Sequence, residues 1–393
     1  MLLTHLEENV LETEPEYTLR WPRELFMWEA AQLLKSPSTL SVSLPVLLEE
    51  AFDETDARDE FYRSIASTRN VFDTPAPAAN PETWCRNLLA SQAKLQDREV
   101  PNYWANRHGI NTHDTPELQI SLGAAFFEVI GDLRAHGYFP RVYPKPCVDQ
   151  DWDTLDEELK QHLQRTTGIR FPWPVPSDQQ DEYPEHLLYT LIEYFHDQAQ
   201  RPRGFGHWHD YANCGWHYNA GANKLSGGVV YRWRINELLR EHDVPLELSP
   251  NPGERGRLVR RLPTSLGATV DEILANRRDP QDEVTHAIRD YRSRNAGRPQ
   301  RIAAVTLLAG ELEKRKLTVR EELLTKDESA LFHIANEFNI RHRGEKQRAD
   351  YSDDFLDWVF QVYVATVALA DKLTKRSSAN EAGLRPDTTK GAP

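Results

Sequence analysis

Tyr183-Pro184-Glu185-His186-Leu187-Leu188-Tyr189-Thr190-Leu191-Ile192-Glu193-Tyr194-Phe195 is the stretch that sets the fold class. A proline at the first helical position sacrifices no hydrogen bond, and an acid in the first turn meets the positive end of the helix dipole. Leu188, Leu191, Ile192 and Phe195 then recur at helical spacing. The same grammar returns at Asn80-Pro81-Glu82, ahead of Trp84, Leu88, Leu89 and Leu95. It returns again at Thr115-Pro116-Glu117, ahead of Leu118, Leu122, Phe126 and Val129, with Gly137 as the stop. Asp279-Pro280 opens a helix through Val284, Ile288 and Tyr291, and Thr269 to Glu272 and Thr325 to Glu328 read as capping boxes. Two short arms, Pro245 to Leu248 and Arg257 to Leu262, flank the turn residues Pro250-Asn251-Pro252-Gly253 and predict one β-hairpin.

The expected architecture is therefore mainly α. A helical N-terminal domain covers 1–145. A Pro- and aromatic-rich middle region with a helix and the hairpin covers 146–264. A C-terminal helical bundle covers 265–376, and a disordered tail covers 377–393.

Composition narrows the class. Hydrophobic residues are 39% and charged residues 27% of the 393, a globular balance. Cys85, Cys147 and Cys214 are odd in number and widely spaced, which points to a reducing, cytoplasmic setting and away from a disulfide scaffold. No apolar run reaches the length of about 20 residues that spans a bilayer. The net charge of −14 excludes global attraction to nucleic acid phosphates, but arginines concentrate between Arg255 and Arg301.

Three segments carry groups with chemistry. Gly206 to His217 gathers His207, His209, Asp210, Cys214 and His217. Imidazole nitrogen and thiolate sulfur are the ligands zinc takes in tetrahedral sets, so His207, His209, Cys214 and His217 form a candidate zinc set. In an extended strand the rings of His207 and His209 would share a side. The competing expectation is an aromatic connection packed on the core, with its polar tips hydrogen-bonded. Next, Tyr231-Arg232-Trp233-Arg234-Ile235 interleaves arginine and aromatic residues. That pattern suits either stacking on RNA or arginine stems lying over buried tryptophan. Last, a helix from Arg301 to Lys316, a second from Lys326, and a long third presenting Phe355, Val359, Val362, Thr366 and Leu373 end the ordered chain. The junction Asn339-Ile340-Arg341-His342-Arg343-Gly344-Glu345-Lys346 pairs a guanidinium that can hold phosphate with an imidazole that can move protons near neutral pH. The same two side chains would also serve as caps on the preceding helix's carbonyls.

The phrase Ala335 to Lys346, followed by an aromatic and Val-rich last helix, resembles the C-terminal domain of HEPN-superfamily proteins of the abortive-infection, antiviral defence type. Cys214-Gly215-Trp216-His217-Tyr218, Arg234 to Leu239 and Leu246 to Leu248 resemble the lead-in seen in that group, so the likeness runs in short phrases over residues 185 to 375. It implies a HEPN-like helical bundle that pairs as a homodimer through its last helices. The implied activity is RNA cleavage as a metal-independent endoribonuclease that needs no cofactor. Arg341 would hold the scissile phosphate and His342 act as acid or base, with Glu345 and Lys346 assisting. Arg343, Arg348, Arg255, Arg257, Arg260 and Arg261 would bind RNA. The family's Arg is followed a few residues later by His, whereas here Arg341 and His342 are adjacent.

Two other functions fit the same residues. One is a non-catalytic helical binding or regulatory partner in a defence or toxin–antitoxin pair, with a protein partner in place of RNA. The other is a zinc-binding protein built on the 207–217 cluster.

Overall fold

The computed structural model describes residues 17–66, 80–91, 94–99, 103–108, 120–149, 152–218, 221–277, 279, 281–315 and 352–383. The molecule is mainly helical, with short strands paired two by two. The described residues divide into two compact units, one ending at Leu238 and the other beginning at Leu239. No helix among the described residues is long and apolar enough to cross a membrane.

The first unit opens with β1 (Tyr17–Leu19), α1 (Arg23–Leu33), α2 (Leu40–Ala51) and α3 (Asp56–Ile65). It continues with α4 (Pro81–Ala90), β2 (Leu95–Asp97), the short α5 (Trp104–Arg107) and α6 (Leu122–Ala135). α7 (Trp152–Thr167) and α8 (Glu185–Gln198) lead to the antiparallel pair β3 (Phe205–His209) and β4 (Gly215–Tyr218), and α9 (Lys224–Glu241) follows. The Pro-Glu starts behave as their chemistry requires. The Asn80 side chain accepts from the Glu82 amide at the head of α4, and α8 begins at Glu185 behind Pro184. Leu95 does not continue α4; it pairs in β2, parallel to β1. The helix expected to open at Thr115 begins instead at Leu122, where Ser121 is extended (ψ 156°) and its hydroxyl accepts from the Ala124 amide; Thr115 to Leu118 lie outside the described residues. Gly137 takes φ +76°, the left-handed stop expected of it.

Aromatic rings fill this core. Phe195 lies within ring-contact distance of Phe126, Phe139, Tyr143 and Trp173, and Tyr231 seats its hydroxyl on the Ile192 carbonyl. Within the Tyr231–Ile235 stretch Tyr231 and Ile235 are buried and Arg232, Trp233 and Arg234 half-buried, with Arg234 over the Trp233 ring at 5.9 Å. Deeper still, Arg201 is fully buried and donates to Glu50 (2.7 Å) and Glu29 (3.1 Å), while Arg203 also pairs with Glu29. Burial opposes the Arg201 charge, but Glu50, Tyr138 and Glu29 outweigh it and raise its pKa. Breaking such a buried set by removing one partner typically costs about 3–5 kcal/mol, because a charge is left without an answer.

The second unit holds the hairpin β5 (Leu246–Leu248) and β6 (Leu258–Arg260), antiparallel as the sequence implies. Helices α10 (Thr264–Asn276), α11 (Glu283–Arg292), α12 (Arg298–Lys314) and α13 (Asp353–Gly383) pack as a bundle. Val270, Ile288, Val305, Leu308, Leu356, Val359, Phe360 and Val367 form its core. Of the stripe expected to face inward on α13, Val359 and Leu373 are buried, while Phe355, Val362 and Thr366 are half-exposed and Leu356, Phe360 and Tyr363 are buried beside them.

Several expectations need correction here. Asp282 and not Asp279 caps α11, because its carboxylate reaches the Thr285 amide. Thr269 lies inside α10, where its hydroxyl bonds back to the Ser265 carbonyl, so the capping-box reading fails. α13 runs on to Gly383, past Ser377, where the tail was expected to begin. Finally, the chain holds a second hairpin, β3–β4, and a parallel pair, β1–β2, beyond the single hairpin expected.

Candidate metal centre

β3 and β4 are joined by a tight turn, a short 3-10 segment Tyr211–Asn213 in which Ala212 takes φ +53°, with Gly215 at +74° just beyond it. The turn folds Cys214 back toward the strands. Phe205 faces Tyr218 and Trp208 faces Trp216, aromatic pairs of the kind that hold hairpins together. The register slips between Phe205 and Trp208, a bulge that takes in Gly206 and His207.

The connection after α6 lies against this hairpin. The chain turns through residues 140–143, with the Tyr143 amide on the Phe139 carbonyl, and then runs without regular structure through Pro144 and Pro146. Lys145 Nζ donates to the Trp216 carbonyl at 2.7 Å, and the Cys214 thiol lies 3.8 Å from the Pro146 carbonyl. Cys147 is thereby delivered to the hairpin. Its sulfur is 3.4 Å from His209 Nδ1, and Cys214 sulfur is 3.1 Å from His217 Nε2. One ligand atom from each of Cys147, His209, Cys214 and His217 can be chosen so that all lie within 4.8 Å of one another. A tetrahedral zinc site with bonds of about 2.0–2.3 Å places its ligands roughly 3.3–3.8 Å apart. The four groups are half-buried, and all three cysteines of the chain are free thiols.

Neighbouring groups suit a metal. Asp149 Oδ2 stands 3.8 Å from His209 Nε2, the nitrogen that does not face Cys147. A carboxylate behind a ligating imidazole fixes its orientation and raises its basicity. Burial, reinforced by His207, Lys145 and His209, lowers the His217 pKa and favours the neutral ring that coordinates. Burial also lowers the Lys145 pKa, against the opposing pull of Cys214.

His207 does not belong to this set. Its exposed ring stacks on His217 at 4.6 Å and 10° and lies 6.5 Å from the His209 ring, at the edge of the cluster. The four groups whose ligand atoms converge are Cys147, His209, Cys214 and His217, which differ from the expected set of His207, His209, Cys214 and His217 by Cys147 in place of His207.

The other expected site residues divide in two. Arg341, His342, Arg343, Glu345, Lys346 and Arg348 lie outside the described residues. Arg255 and Arg257 are exposed and Arg260 and Arg261 half-exposed along the β5–β6 hairpin. The arginines around them are largely engaged within their own unit. Arg292 pairs with Glu247 and Glu254, Arg301 with Asp353 and Asp357, and Arg277 with Asp282 and Asp371. A cavity in the first unit is lined by Glu50, Asp132, His136, Trp233 and Arg234, of which the sequence had drawn attention to Trp233 and Arg234 alone. No protein-family model, curated protein or solved structure matches the chain.

Proposed function

We propose that the chain is a zinc-binding protein whose metal is held by Cys147, His209, Cys214 and His217. The observation that supports this most directly is the convergence of two thiols and two imidazoles from separate segments within 4.8 Å. Thiolate ligands disfavour magnesium and calcium, and a tetrahedral set of two sulfurs and two nitrogens is the preference of zinc. Four protein ligands leave no open position, so the role is structural: the ion fastens the 140–149 connection to the β3–β4 hairpin. With the hairpin fixed, exposed Trp208 and Tyr211 are held at a defined edge of the unit.

Cobalt substitution tests the ligand set. Titrating metal-free protein with Co²⁺ should give the intense visible bands of a tetrahedral ion and a thiolate charge-transfer band. Both should disappear in Cys147→Ser and in His209→Ala. Octahedral spectra, or unchanged tetrahedral spectra in Cys147→Ser, would contradict the assignment.

A further inference from the structure

A separate cavity of about 700 Å³ opens in the first unit, between the end of α1, the start of α2 and the chain that leads into α9. Its volume lies inside the range of about 300–1,000 Å³ typical of small-molecule sites. Among the described residues that line it there is no carboxylate and no zinc ligand. Two features define what it would accept.

The first is aliphatic surface left in water. Leu33, Val42 and Leu225 line the cavity, and Val42 and Leu225 are each 51% exposed. A hydrocarbon laid against them would remove that surface from solvent. The second is a set of donors with no anion to answer them. Arg203 donates through Nη2 to Ser226 Oγ at 2.7 Å and pairs through Nη1 with Glu29. Its third nitrogen, Nε, is neither hydrogen-bonded nor among the polar atoms sealed from solvent. The same holds for the Asn223 carboxamide nitrogen, whose neighbouring Oδ1 accepts from the Ser226 amide at 2.9 Å. Arg203 and Asn223 are thus joined through Ser226, and each brings the cavity an accessible donor. The charges nearby can be counted. Arg201 and Arg203 face Glu29 and Glu50, so those four cancel. Lys35 remains: its Nζ rests on the neutral Gln32 carboxamide at 2.8 Å, and no carboxylate among the described residues answers it.

We propose that this cavity binds an amphipathic monocarboxylate, a molecule with one carboxylate head and an apolar body. The head takes the Arg203 and Asn223 donors, and Lys35 supplies the balancing charge. The body lies against Leu33, Val42 and Leu225. Hydrogen bonds to an ionised acceptor are roughly twice as strong as neutral ones, which favours a carboxylate over an alcohol or amide. One unmatched cation balances a single negative charge and not the two of a phosphate monoester, and a cationic amphiphile would be repelled.

Calorimetric titration of the full chain as purified tests this, with decanoate, 2-naphthoate, acetate, decyl phosphate and decyltrimethylammonium as probes. Decanoate or 2-naphthoate should bind about tenfold or more tightly than acetate, which lacks the apolar body. It should also bind more tightly than either of the other two decyl compounds. Preference for decanoate identifies a flexible chain as the body, and preference for 2-naphthoate a flat ring. Val42→Glu sets a carboxylate against the apolar body and should weaken binding about tenfold or more, with an unchanged melting temperature because Val42 is exposed. If Val42→Glu lowers the melting temperature, Leu225→Glu, at the equally exposed start of α9, makes the same test. Lys35→Gln should weaken decanoate or 2-naphthoate by about threefold, the scale of an exposed charge pair. Acetate or decyltrimethylammonium binding as tightly as the best carboxylate, or decyl phosphate binding more tightly, overturns the proposal. So does binding indifferent to the cavity carboxylates or to Lys35→Gln, or no heat with any probe at millimolar concentration. Each of these results leaves the zinc assignment untouched, since none of the proposed ligands lines this cavity.

Discussion

His136 ends α6 with its Nδ1 on the Asp132 carbonyl at 2.8 Å and 3.3 Å from the Asp132 carboxylate. The hydrogen bond to Asp132 raises the His136 pKa to about 9; burial opposes the shift and Glu50 adds to it. An unfolded histidine titrates near 6.5, roughly. The folded state therefore binds the proton more tightly, and the stabilisation is complete below pH ~6.5 and lost as pH rises through about 9. Both side chains are part-exposed, so solvent screening keeps the effect small. Denaturant midpoints measured across that alkaline window should fall in the wild type and stay flatter in Asp132→Asn. Parallel profiles would contradict this account of the pair. At this scale the proposed zinc ligands were partly legible. His209, Cys214 and His217 stand close together in sequence, but Cys147 lies 62 residues from His209, and no local pattern announces such a partner. Of the residues lining the cavity around His136 only Trp233 and Arg234 stood out, because most of the others come from α2, α6 and the connections at Trp21 and Tyr138 and meet in three dimensions alone.

At the scale of elements, the helices could be read where backbone chemistry is local. A proline and an acid at the start act on the neighbouring turn alone, which is why α4 and α8 begin where their sequences say. The misreadings have separate causes. Thr269 to Glu272 has the form of a capping box, but an apolar face beginning at Leu266 had already committed that turn to helix. β3 and β4 escaped notice because a bulge and a left-handed turn break their alternation. Gly137 shows how tightly one element constrains another. It adopts φ +76°, and a Cβ there would come within 2.6 Å of the Tyr218 ring in β4. Gly137→Ala should thus lower stability by roughly 1–3 kcal/mol, read as a lower melting temperature. An unchanged melting temperature would show that β4 yields without cost.

At the scale of the molecule, the chain has a net charge of −14, yet many of its arginines are structural. Arg201, Arg292 and Arg301 are buried against carboxylates within their own units, so an arginine-rich sequence did not produce a free basic surface at those positions. The mainly helical architecture was legible because core helices carry their periodicity openly. The joining of distant segments by side-chain chemistry was not, since it exists in three dimensions alone. The proposed metal centre is the clearest instance, and its occupancy is the central claim. Zinc should be quantified by elemental mass spectrometry in the purified wild type, Cys147→Ser and His207→Ala proteins, each checked for helical content by circular dichroism. Stoichiometric zinc in the wild type and His207→Ala, with loss in a folded Cys147→Ser, is the predicted result. A wild type that neither carries zinc nor takes it up, or a Cys147→Ser protein that retains it, would contradict the account.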